Sequence, residues 1–96
     1  MTPEQPLSAR RAEILDIAAS HGAHNVRVFG SYARGEATEG SDVDLLVDFD
    51  LGHGLFDRVA LIGDLEELLG REVDVVTEAG IYWLLRRKIV REAVPL

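Results

Sequence analysis

Cysteine is absent from the chain, so neither a disulfide nor a thiolate metal site can form. Basic residues are scarce as well: 10 Lys and Arg against 17 Asp and Glu leave a formal charge of −7. Broad nucleic-acid binding needs the opposite balance, because phosphates are neutralised by Lys and Arg. No apolar run approaches the roughly 20 residues needed to span a bilayer. The opening Met1-Thr2-Pro3-Glu4-Gln5-Pro6 lacks the basic and apolar regions of a secretion signal, so a cytoplasmic protein is expected. Repeats and low-complexity segments are missing too. What remains is 96 residues that are 47% apolar. That is room for one core and one domain spanning 1–96, and too apolar for a disordered acidic tail.

Residues 1–7 are expected to be a loose end. Ser8 is expected to cap a helix ending near Ser20, with Ala12, Leu15, Ala18 and Ala19 on its inner face and Gly22 as its stop. Residues 25–29 read as a first strand, followed by a short helix after Ser31 and a loop over 36–40. The apolar, β-branched run 43–49 reads as a buried second strand. A long helix over 55–69 follows, its core stripe made of Leu55, Val59, Ile62, Leu65 and Leu69. Gly70 should stop it ahead of a third strand at 72–77, and residues 81–92 should be helical, with Tyr82 and Trp83 packing that helix onto the sheet. The expected class is α/β (α+β): a small mixed sheet carrying the site at one edge, with helices packed on the other face.

The chemistry concentrates in Ser41-Asp42-Val43-Asp44, eleven residues after Gly30-Ser31. Side chains two apart on a strand share a face, so Asp42 and Asp44 project together from the start of an apolar strand. Like charges beside a core are costly unless a cation neutralises them, and a hard divalent ion such as Mg²⁺ takes oxygen ligands. The plainer reading is a pair of loop aspartates at a strand entrance. Gly30 lets backbone approach a ligand closely, while Ser31 can cap a helix or hold phosphate oxygens. Arg34, one turn later, can add charge to the same phosphates or remain solvated. In Val73-Asp74-Val75 the aspartate points away from its valine neighbours. It can join Asp42 and Asp44 if the two strands are adjacent, or belong with Glu72 to an exposed edge. Three carboxylates can hold two Mg²⁺ ions, and the third can take the proton from an attacking hydroxyl.

Together, Gly30-Ser31-Tyr32-Ala33-Arg34-Gly35, Gly40-Ser41-Asp42-Val43-Asp44-Leu45 and Val73-Asp74-Val75-Val76 resemble the minimal nucleotidyltransferases, the MNT group of the DNA polymerase beta-like superfamily. The resemblance covers about residues 26–77 and is unbroken in order and spacing. It implies a polymerase beta-like fold and transfer of AMP from ATP. It implies that Gly30, Ser31 and Arg34 serve the nucleotide, and that Asp42, Asp44 and Asp74 hold two Mg²⁺ ions and form the catalytic set. Larger relatives carry an added domain to grip the acceptor. This chain has no length for one, so another molecule is expected to complete the site. Minimal members of the group commonly act as antitoxins that transfer AMP to a tyrosine of a HEPN-domain toxin. A binding antitoxin that merely covers its toxin is the rival expectation; transfer to a small molecule is a third.

Other conspicuous residues take plainer readings. Asp48 shares parity with Asp44 but lies about 13 Å further along the strand at roughly 3.3 Å per residue. It is read as a strand-end carboxylate. His21, His24 and His53 show no ligand spacing. Arg86, Arg87, Lys88 and Arg91 form a basic stretch, read by default as a solvated helix face. Residues 84–96, apolar and basic together, are the expected docking surface for the toxin or for a second copy of the chain.

Overall fold

The computed structural model describes residues 7–96; the expectations for Met1–Pro6 lie outside the described residues. A 3₁₀ turn over Leu7–Arg10 leads into α1 (Arg11–Ser20). The chain continues through β1 (Ala23–Phe29), α2 (Ser31–Arg34), β2 (Val43–Phe49), α3 (Leu55–Leu69) and β3 (Val73–Val76). A second 3₁₀ turn, α4 (Trp83–Glu92) and a two-residue β4 (Val94–Pro95) complete it. The sheet order is β3-β2-β1-β4. The pair β2–β3 is parallel and both pairs made by β1 are antiparallel, so the sheet is mixed, as expected. Parallel neighbours need a crossover, and α3 supplies it.

Alternation along the strands sorts the two faces. Val26, Val28, Val43, Leu45, Val47, Val73 and Val75 are all buried, and α1 and α3 cover them with Ile14, Ala18, Leu61, Leu65 and Leu69. Burial of these side chains is the main favourable term holding the domain together, at roughly 1.5–3 kcal/mol each.

Several expectations need correction. Ser8 lies in the 3₁₀ turn, and the residue at the N-cap of α1 is Arg10, which makes no side-chain cap. The inner face of α1 is led by Ile14 and Ala18, while Ala12 and Ala19 are exposed. The bulkier side chain gains more from burial and wins the core-facing position. In α3, Leu55 and Val59 are exposed, and Leu61 joins Leu65 and Leu69 inside. The helix has 15 residues and β3 only 4. At about 1.5 Å per helical and 3.3 Å per strand residue, the helix is longer than the strand it leads into, which cannot cover the whole stripe. β1 begins two residues early because Asn25, at φ 50°, bulges the strand without ending it. Tyr82 and Trp83 do not pack α4 onto the sheet. They are 60% and 67% exposed, whereas their neighbour Ile81 is buried. The β4 strand had no signal in its two residues.

Candidate active site

Gly30 ends β1 and opens α2 with φ 75° and ψ −153°, a conformation suited to glycine. A Cβ at this position would collide with the Asp44 carboxylate. The turn therefore lies flush against β2 because residue 30 has no side chain. The Gly30 carbonyl accepts N–H bonds from Ala33 and Arg34, each 3.1 Å, and Ser31 begins the single turn of α2, half-buried.

Register brings the carboxylates together. Asp44 pairs with Phe29 across the antiparallel ladder and with Asp74 across the parallel one. Their strand neighbours Val43, Leu45, Val73 and Val75 face the core. Asp44 and Asp74 consequently project side by side from the opposite face. Asp42 sits just before β2, exposed, on a loop that is tied down from several directions. The Thr38 N–H donates to Ser41 Oγ at 2.8 Å and the Ser41 N–H to the Thr38 carbonyl at 3.0 Å. Arg71 holds the Glu39 carbonyl at 2.6 Å.

Charge converges on this spot. Burial pushes the Asp44 carboxyl above the usual carboxylate range; Asp74 and then Asp42 push it further, and Arg34 opposes them only in part. The donors are all carboxylate oxygens beside an excess of negative charge, which fits a hard divalent cation such as Mg²⁺. Among the described residues, no three His, Cys, Asp or Glu side chains stand close enough to form a preassembled cage.

Arg34 is committed to two carboxylates. Its Nε donates to Glu36 at 2.9 Å and its Nη1 to Glu92 at 2.6 Å. Glu92 also accepts the Gly30 N–H at 3.0 Å. Sequence reasoning missed Glu92. Its one local signal is a carboxylate in the last turn of a helix, where the helix dipole disfavours negative charge. It also missed Arg58, which donates to the Val75 carbonyl and stands 3.6 Å from Asp74. Asp48 accepts from Arg27 at 3.2 Å and from Asn25 at 3.0 Å, as a strand-end carboxylate. His21, His24 and His53 each meet a single aspartate, at 2.6, 2.8 and 3.1 Å. Arg86, Arg87, Lys88 and Arg91 are exposed on α4.

Fold and site together define a nucleotidyltransferase, and the family model described as a nucleotidyltransferase domain matches residues 11–96. A solved structure provisionally described as a minimal nucleotidyltransferase superposes with a TM-score of 0.86 at 53% identity, covering 100% of this chain and 97% of that one. The chain belongs to that minimal nucleotidyltransferase (MNT) family. A relative from Methanocaldococcus jannaschii, MJ0435, provisionally named a protein adenylyltransferase, is 48% identical over 84 residues, 88% of this chain and 90% of its own length. Protein adenylyltransferase MntA of Thermococcus cleftensis is 40% identical over 91 residues, covering 95% of this chain and 89% of that protein. A crystal structure of a toxin–antitoxin with AMP-PNP shares the fold, with a TM-score of 0.75 at 22% identity over 88% of this chain and 69% of that one. Among the described residues, no helix is long and apolar enough to cross a membrane.

Proposed function

We propose that this enzyme transfers AMP from ATP to a tyrosine hydroxyl of a HEPN-domain toxin and acts as that toxin's antitoxin. The observation that carries the reading is the parallel register of Asp44 with Asp74 opposite the Gly30 turn. The adenylyltransferase names of the relatives support protein as the acceptor. The toxin–antitoxin neighbour supports the kind of partner and the nucleotide.

The roles follow from position. Gly30, lacking a Cβ, brings the turn flush with Asp44 so that phosphates held by the turn lie beside the carboxylates, and the Ser31 hydroxyl donates to a phosphate oxygen. Arg34 adds positive charge at the same end by exchanging its exposed partner Glu36 for a phosphate oxygen while Glu92 keeps its hold. Asp42, Asp44 and Asp74 would hold two Mg²⁺ ions, which when bound screen charge on the phosphates and lower the acceptor's pKa. The acceptor oxygen forms a bond to the α-phosphorus as the bridging bond to the β-phosphate breaks, and pyrophosphate leaves. Asp74 accepts the hydroxyl proton. ATP as donor and the lack of cysteine fit a cytoplasmic site of action.

The exposed Tyr82, Trp83, Leu84 and Leu85, next to the basic stretch of α4, offer a docking surface for the toxin. They would serve equally an antitoxin that works by covering its partner. The two readings separate when the protein, Mg²⁺, labelled ATP and the partner are mixed and the partner is weighed by mass spectrometry. Added adenylate on a tyrosine is the expected result. A bound, inhibited and unmodified partner would instead establish the covering mode. The double substitution Asp42→Asn with Asp44→Asn should lower transfer at least about 1,000-fold, some 4 kcal/mol of transition-state stabilisation; transfer that persists removes the metal assignment.

A further inference from the structure

We infer that Glu92 is a positioning residue that clamps the Gly30–Ser31 turn against the carboxylate site, an inference that rests on the nucleotide role proposed above for that turn. One carboxylate holds two partners from opposite ends of α2. Oε2 accepts the Gly30 N–H at 3.0 Å and Oε1 accepts from Arg34 Nη1 at 2.6 Å.

The turn needs such a clamp. α2 is four residues long and is stopped by Gly35 in the left-handed conformation. One helical turn does not sustain itself in water, because too few bonds offset the cost of fixing its dihedrals. The residue that caps its start, Gly30, is also the position that must stay flush with Asp44. Tyr32 and Ala33 pack its middle against the core, and the Glu92 carboxylate reaches both of its ends.

Glu92 is placed for that task and poorly placed for any other. It stands in the last turn of α4, where the helix dipole opposes a negative charge. Its side chain is 18% exposed, unlike the 64% of Glu36, the other carboxylate on Arg34. Half-shielded, charge-assisted bonds to a backbone amide and a guanidinium are worth more than a surface ion pair. α4 itself buries no residue, and β4, directly after it, pairs Val94 with Val28 of β1. Glu92 is thus anchored by the sheet on one side and grips the turn on the other.

Glu36→Gln is the internal control, because it removes an Arg34 partner and leaves the Gly30 amide alone. The protein with Glu92→Gln, the control and the parent are compared in three ways: thermal melting, amide exchange at Gly30 by NMR, and binding of ATP with Mg²⁺. Glu92→Gln should speed Gly30 exchange and weaken ATP binding, each tenfold or more, with melting nearly unchanged. Glu36→Gln should change both by less than threefold. Equal effects from the two substitutions would overturn the clamp, as would unaltered Gly30 exchange in Glu92→Gln. A drop in melting temperature that accounts for the whole binding loss would do the same. A parent that binds no ATP refutes the nucleotide reading instead, before any variant is compared, and Gly30 exchange then still decides whether Glu92 holds the turn.

Discussion

The two faces of the sheet are made by the same strands and obey opposite rules. On one, Val43, Leu45, Val73 and Val75 are packed to 6% exposure or less under α1 and α3. On the other, at alternate positions, Asp44 and Asp74 stand side by side with their charges in conflict. A fold optimised for stability alone would not place two carboxylates in register beside a third. The core face supplies the stability that the site face spends, and this division is typical of functional sites, where local cost is tolerated for chemistry.

The comparison breaks most sharply at Leu65 of α3, which is 1% exposed in the core that covers the first face. Leu65→Ala should cost about 3 kcal/mol, within the range for a buried leucine that leaves a cavity, read by urea denaturation. On the site face the sign reverses. The Asp44 carboxyl titrates above its ordinary range, so its folded form favours the proton. Stability tied to that proton is present at low pH and lost as pH rises through the raised value. Asp44→Asn escapes the loss. Its stability should exceed the parent's at pH 7 by less than ~1 kcal/mol once solvent screening is allowed for, seen as a higher melting temperature, and the gap should close as pH falls below about 4. A variant less stable than the parent at pH 7 would remove the claim of stored charge conflict. The smallest effect is expected outside both faces. Trp83 is 67% exposed and touches Tyr82 with ring centroids 5.9 Å apart. Trp83→Ala should leave the protein's own stability within about 0.5 kcal/mol, as for other surface changes. Binding of the toxin partner proposed above, measured separately, should weaken.

Much of the site face was legible because its signals are short-range. Asp42 and Asp44 are two residues apart, and the glycine at a strand end and the serine beginning a turn are adjacent. Strand alternation alone places Asp74 on the face opposite Val73 and Val75, whichever strand lies beside it. The long helix before it is legible as a helix, yet its inward face leaves out Leu55 and Val59. Periodicity gives the stripe, but the length of the strand beneath sets how far the stripe is covered.

By itself the chain determined its strand and helix alternation, the carboxylates beside a glycine–serine bend, and its family, all through neighbours close along the backbone. Tertiary structure alone decided that Asp44 and Asp74 share a row, that Glu92 spans 62 positions to hold Gly30, that Arg58 reaches Asp74, and that the aromatic pair on α4 faces outward. Each of these depends on which distant segments pack together. That choice is driven by the apolar area the whole chain can bury, a quantity no short window contains.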